Sequence, residues 1–349
     1  MSRLVIVFRL FAATVILISV TLVVGLFWPT TYNPRANPLV VYCAHDSVYS
    51  EQLLRRFERE TGIRVAPRFD TEATKSLGLV ELISRERDNP RCDVFWNNEQ
   101  LGTMRLADQG LLEPYKGPGY ERIPAAFKDP DGRWTGFAAR MRIWIVNTDR
   151  MDATPENVMG VFGHSDLSRF AFAKPLYGTT RTHMAVLWNE MGEDKLKASH
   201  AGWIDRGAVV AGGNAMVKDL VAAGTCDYGW TDTDDYFVAK DAGLPVRMLP
   251  FHLPPDKSIL IPNTVAIVKG TTRLERAQRL VDFLLSEQTE LELAASKARQ
   301  IPLGPVDESK LGEEVRLLKE WSRNPYPLSG LGNSAEECLA WLRREYLGE

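Results

Sequence analysis

Pro38-Leu39-Val40-Val41-Tyr42, then Tyr49 to Thr61, then Ile63-Arg64-Val65-Ala66-Pro67 read in turn as a buried strand, a helix and a second strand. The first is a short continuous apolar run, the pattern of a strand covered on both faces. The helix carries Leu53, Leu54 and Phe57 on one face, and Gly62 stops it. Leu77 to Arg87 adds a second helical pattern and Asp93-Val94-Phe95-Trp96 a third strand. The order is βαβαβ, which predicts an α/β fold with a parallel sheet and helices on its faces. In such sheets ligands bind beyond the carboxyl ends of the strands, where helix N-termini present their N–H groups.

The strand ends carry hydrogen-bonding residues. His45 and Asp46 follow the first strand, Thr71 and Glu72 the second, and Asn97, Asn98 and Glu99 the third. The run Gly136 to Val146 is long enough to leave one α/β unit and enter another. The second unit contains Arg169 to Ala173, then a Gly178-Thr179-Thr180 turn opening a helix through Trp188, which suits an anion or carboxylate. Gly212-Gly213-Asn214 precedes a helix from Ala215 to Ala223, Ile259 to Val268 reads as a return crossing, and Arg273 to Ser286 as an amphipathic helix.

Gly229-Trp230-Thr231-Asp232-Thr233-Asp234-Asp235-Tyr236 concentrates three carboxylates, two hydroxyls and two aromatics at a strand-to-helix junction. Closely spaced Asp and Thr oxygens suit a hard cation, an amine or a polyhydroxylated molecule. A helix cap explains one such side chain but not the whole cluster, since one cap needs one acceptor. Thr231, Asp232, Thr233, Asp234 and Asp235 are therefore expected at the ligand site. For a metal ion the candidate donors are His45, Glu99, Asp234 and Asp235, hard oxygen and imidazole ligands.

The 349 residues, 45% hydrophobic and 25% charged, are those of a globular protein with room for two domains sharing a cleft. A net charge of -3 with no long basic run argues against a nucleic-acid partner. Leu10 to Trp28 carries no charge and follows Arg3 and Arg9, which predicts an uncleaved transmembrane helix with the bulk of the chain extracytoplasmic. Cys43, Cys92, Cys226 and Cys338 show no metal-type spacing and read as small core residues. The expected organisation is a stub, anchor and tether over 1–37, a first lobe from 38–138 and 265–305, a second lobe over 139–264, and a C-terminal helical extension over 306–349.

Phe57-Glu58-Arg59-Glu60-Thr61-Gly62-Ile63-Arg64-Val65, Asp93-Val94-Phe95-Trp96, Asp108-Gln109-Gly110-Leu111-Leu112, Arg140-Met141-Arg142-Ile143 and Ile261-Pro262-Asn263-Thr264-Val265-Ala266 stand in an order and spacing that carry a family likeness. With them the chain resembles the bacterial extracellular solute-binding proteins of the ferric-ion ABC transporter type, from Leu39 to about Pro305. The resemblance implies a two-lobed type II periplasmic-binding-protein fold, a ligand held between the lobes, and delivery to an ABC transporter permease. It implies no cofactor beyond a metal ion carried as cargo, no catalysis, and a monomer. Iron-binding members carry adjacent tyrosines where Thr233-Asp234-Asp235 stand here, a departure that points to Fe(III) held by carboxylates or to a small polar or zwitterionic organic solute. A reading from another class is a membrane-anchored metal-dependent hydrolase using Asp232, Asp234, Asp235 and His45. Against it, the chain has no HExxH or GxSxG motif and no second histidine at ligand spacing.

Overall fold

The computed structural model describes residues 37–70 and 77–349. The expected membrane span Leu10 to Trp28 and the loop residues Thr71 and Glu72 lie outside the described residues. Among the described residues no helix is long and apolar enough to cross a membrane.

Strands β1 (Leu39–Cys43), β2 (Val65–Phe69) and β3 (Val94–Asn97) alternate with helices α1 (Ser47–Thr61) and α2 (Leu77–Arg85), and α3 (Leu101–Asp108) follows β3. Helix α1 stops at Gly62, whose φ of 70° is a left-handed conformation that glycine adopts without strain, and its N–H bonds Glu58 O. The second strand sits two residues later than the sequence pattern suggests. Its burial is only partial, so the apolar signal at Ile63 belongs to the turn that packs beneath α1 rather than to the strand.

Short β4 (Leu112–Glu113) and α4 (Pro118–Arg122) lead into β5 (Thr135–Asn147), all 13 residues of which are buried. The chain then runs through α5 (Pro155–Gly160), β6 (Phe170–Ala173), α6 (Gly178–Met191), α7 (Glu193–Asp205), β7 (Val209–Ala211), α8 (Asn214–Ala222), β8 (Tyr228–Asp232), α9 (Thr233–Asp241) and β9 (Val246–Pro250). A small hairpin, β10 (His252–Leu253) and β11 (Lys257–Ser258), precedes β12 (Leu260–Val268). Helices α10 (Leu274–Leu284), α11 (Glu287–Ala295), α12 (Glu313–Trp321) and α13 (Gly332–Leu347) complete the chain.

The main sheet runs β2-β1-β3-β12-β5-β8-β6-β7, with β4 added on β12 and β9 on β5. The parallel expectation holds for β1 with β2 and β3, and for β6 with β7 and β8. It fails at the centre, where β12 is antiparallel to β3 and β5, and β5 to β8. Two long strands that cross between parallel units must return in the opposite sense, which a local pattern of apolar residues does not reveal. Helices α1 and α10 cover one face of the first half around Phe57, Trp96 and Phe137, and α2 and α3 cover the other through Leu79, Ile83 and Leu106. In the second half, α6, α7 and α13 enclose an aromatic core of Phe170, Trp203, Trp230 and Trp341. All four cysteines are free and buried.

The crossing pair β5–β12 contains an irregularity. Pro262 faces Ala139 while Asn263 faces Phe137, so Ala138 is an extra residue, and its φ of 39° is unusual for a side chain bearing a Cβ. Glu290 holds it there. Its fully buried carboxylate accepts from Ala138 N at 2.9 Å, Leu303 N at 2.8 Å and Gly304 N at 3.1 Å, and from Arg122 Nη1 at 2.7 Å. Removing one partner of a buried ion pair leaves an uncompensated charge, here with three backbone donors stranded as well. Glu290→Ala is therefore expected to lower the unfolding free energy by about 3 kcal/mol or more, and Glu290→Gln by less, measured by urea denaturation.

Candidate functional site

β8 pairs with β5 so that Asp232 stands opposite Arg142. Gly229 permits this arrangement, because a Cβ there would lie 2.6 Å from Val217 Cγ1 of α8 and 2.7 Å from Ala171 O of β6. The close approach of α8 brings Asn214, its first residue, over the end of β8.

The carboxylate of Asp232 is fully engaged. Its Oδ1 accepts from Arg142 Nη1 at 2.8 Å, and its Oδ2 from Thr179 Oγ1 at 2.5 Å and from Asn214 Nδ2 at 2.9 Å. Arg142 has no exposed surface and also donates through Nε to His183 Nδ1 at 3.2 Å. Burial first, and the Arg142 charge second, hold the His183 pKa well below its usual value, so this imidazole is neutral and carries its proton on Nε2.

A cavity of about 270 Å³ opens at the carboxyl ends of the strands. Asp46 and Asn98 line it from the first half of the sheet. Lys174, Tyr177, Gly178, Thr179 and Thr180 line it after β6, Gly212 to Ala215 after β7, and Asp232, Asp234 and Asp235 after β8. Arg140, on the crossing strand, forms part of its wall, with Nε 3.7 Å from Asp234 and 3.9 Å from Asp232. Burial pulls the Arg140 pKa down, but the carboxylates of Asp234, Asp232, Asp46 and Asp235 outweigh it and hold the guanidinium above its usual value. The same field reaches α1: burial, then Asp234, Asp46 and Asp235, push the Tyr49 hydroxyl up to about 12. Four carboxylates thus face the two lining cations Arg140 and Lys174, an environment that favours a positively charged or hydroxyl-rich solute.

Asp46, Asn98, Gly178, Thr179, Thr180, Asp232, Asp234 and Asp235 meet at this cavity, as their strand-end positions lead one to expect. His45, Asn97, Glu99, Thr231 and Thr233 do not line it. His45 stacks on Trp96 with ring centroids 5.1 Å apart, and its Nε2 receives the Gln300 amide at 2.7 Å, so the lone pair a metal would need is occupied. Glu99 accepts from Leu101 N at 2.7 Å and Gly102 N at 2.8 Å, a helix N-terminus, and pairs with Arg181 Nη2 at 3.0 Å. Asn97 donates to Thr103 Oγ1, Thr231 donates to Asp235 Oδ2 at 2.9 Å, and Thr233 accepts from Met141 N. Among the described residues the carboxylates able to surround a cation are Asp232, Asp234 and Asp235, whose nearest oxygens lie within 4.8 Å of one another. The sequence reading also missed Lys174, the residue just after β6, and Asn214. The strand-end rule applied to every parallel strand points to both.

The family model described as "Bacterial extracellular solute-binding protein" matches residues 52–316, and the chain belongs to this family. It is similar to iron uptake protein A1 of Synechocystis sp., 24% identical over 303 residues that cover 80% of this chain and 79% of that protein. It is also similar to a probable ABC transporter periplasmic-binding protein of Sinorhizobium fredii, 22% identical over 65% of this chain and 64% of that one. The crystal structure of iron-bound HitA from Pseudomonas aeruginosa superposes with a TM-score of 0.77 at 21% identity, over 88% of this chain and 98% of that one, which establishes the two-lobed periplasmic-binding fold. These are binding proteins, and the hydrolase reading falls with His45 turned away from the cavity and the Asp232 carboxylate saturated by protein donors.

A neutral His183 makes stability depend on pH. Its folded-state pKa lies below the unfolded value of 6.5, so the unfolded chain binds the extra proton, and stability present above 6.5 is lost as pH falls below it. Unfolding free energy is expected to fall by up to about 1.4 kcal/mol per pH unit below that point on account of this residue. His183→Gln, which keeps an acceptor for Arg142, reduces the slope in urea titrations between pH 7 and 5, while His200, also depressed by burial, contributes a slope of the same sign.

Proposed function

We propose that this family member is the extracytoplasmic solute-binding component of an ABC importer. Its solute is a small polar or zwitterionic organic molecule, with a cationic group set against Asp46, Asp234 and Asp235. The observation that carries the reading is the cavity itself: about 270 Å³ suits a small organic molecule rather than a bare ion, and four carboxylates line it. Lys174 and the first turn of α6, at Gly178 to Thr180, supply the opposite polarity at the other wall. We take residues 38–138 and 265–305 as one lobe and 139–264 as the other, with the solute clamped between them and handed to a permease by a monomer.

A second reading is Fe(III) as cargo. It is favoured by the carboxylates of Asp234 and Asp235, whose oxygens lie within 4.8 Å of each other and of Asp232, and by relatives named for iron uptake, while Asp232 itself is taken up by Arg142, Thr179 and Asn214. Here the ligands would be aspartates, because no tyrosine pair stands at Thr233-Asp234-Asp235. Native mass spectrometry of the region beyond Trp28 separates the two readings by the mass retained, that of an organic molecule or that of iron.

Asp234→Ala combined with Asp235→Ala is expected to weaken binding by roughly a thousandfold, from about 2 kcal/mol for each charge-assisted contact, without unfolding the protein. Isothermal titration with the solute identified by mass measures this, and a double variant that melts much lower yet still binds makes these aspartates structural. The uncharged stretch Leu10 to Trp28 supports retention at the membrane, which would hold the binder near its permease. The full-length protein is then expected to sediment with membranes, resist carbonate extraction and enter detergent. N-terminal sequencing that begins after Trp28 would overturn the anchor.

A further inference from the structure

Helices α6 and α8 both begin at the cavity, and neither receives a cap from the side chain of its N-cap residue, Tyr177 or Gly213. Two uncapped N-termini beside a buried arginine form a setting for an oxyanion. In this protein the oxyanion is already supplied. Asp232 lies between them, taking Thr179 Oγ1 from α6 and Asn214 Nδ2 from α8 on one oxygen and Arg142 Nη1 on the other. It is 3% exposed, so the contacts are made out of reach of bulk water. The donors of Arg142, Thr179 and Asn214, which converge where the two helix N-termini meet, are therefore spent on Asp232 inside the protein. An anion entering between the two helix N-termini would meet a fixed negative charge there, which leaves Lys174 and the α6 wall for an anionic group.

Building on the solute class proposed above, we propose that Asp232 is a built-in anion and the specificity determinant of the cleft. It restricts the cargo to amine-bearing solutes without a phosphate or sulfate group. The residue acts by repulsion and by occupying donors: a second anion beside it suffers like-charge interaction in a desolvated site, whereas an amine gains from it. Arg142 holds Asp232 in place through the 2.8 Å contact to its Oδ1, since a fully buried guanidinium requires a counter-charge.

The test replaces Asp232→Asn, which keeps the shape and removes the charge, and uses inorganic phosphate and sulfate as probes. Melting temperature and isothermal titration are measured for the full chain in detergent. The wild-type protein is expected to ignore both anions. The variant is expected to bind them about tenfold or more tightly than the wild type, with a melting temperature that rises with anion concentration. Equal anion response in the two proteins overturns the proposal. Should the single variant fail to fold, the double variant Asp232→Asn with Arg142→Gln removes both buried charges and is read in the same way through the helix termini and Lys174; a folded double variant indifferent to phosphate overturns it too. Failure of the solute-class reading alone is distinguishable, because it appears as iron in native mass spectra of the wild-type protein and not in the phosphate comparison between variants, whereas a phosphate-bearing ligand in those spectra overturns the Asp232 proposal as well.

Discussion

The ion pair between Arg142 and Asp232 is the constraint around which the second half of the molecule is arranged. A guanidinium with no exposed surface is tolerable only when paired and hydrogen-bonded. Its four partners come from three separate elements: Asp232 from β8, Thr179 and His183 from α6, and Asn214 from α8. Meeting that requirement fixes β5, β8, α6 and α8 relative to one another. Asp232, Thr179 and Asn214 also line the cavity, so what stabilises the fold also sets its electrostatic character.

A second buried pair joins the two halves of the sheet. Glu99, at the start of α3, meets Arg181 of α6 at 3.0 Å, with side-chain exposures of 0% and 6%. Helix α13 adds contacts on the same flank. Arg343 reaches Glu81 of α2 at 3.3 Å, while Cys338, Trp341 and Leu342 sink into the aromatic core of the second half, Trp341 lying against Trp188. The C-terminal segment is thus not an appendage, since it packs onto helices from both halves beside the cleft.

Elements with a local cause were legible in the sequence. Helix α1 has its apolar face and terminal Gly62, the strands β1, β3 and β6 have apolar runs within a residue or two of their observed ends, and β12 has two apolar stretches on either side of Pro262-Asn263-Thr264. Of the cavity-lining residues, Asp46 and Asn98 are legible as polar residues after parallel strands, Thr179 from the Gly-Thr-Thr turn that opens a helix, and Asp234 from the acidic cluster. What could not be read was partnership at a distance. Glu99 looks like a ligand residue until Arg181, 82 residues away, and the α3 N-terminus are seen to take both its oxygens. His45 similarly depends on Gln300, 255 residues on. A polar residue after a strand is a candidate ligand only while nothing inside the protein claims it, and that depends on tertiary structure.

Parity along β5 shows how one irregular residue decides which side chains face the site. Side chains alternate along a strand, so an inserted residue transfers every later one to the opposite face relative to its partner strand. Ala138 is such an insertion opposite Pro262 and Asn263. Phe137, before it, joins the core with Trp96 and Leu280, while Ala139 and Met141, after it, join the separate core with Val217 and Phe237. Arg140 and Arg142 fall on the face that meets Asp232. Without the bulge the β12 register that places Phe137 in the first core would turn the two arginines from the aspartate. Glu290 and Asn263, which bond the N–H and the carbonyl of Ala138, therefore act on the cleft without touching it. The charge at the site depends on a backbone conformation held from the far side of the strand.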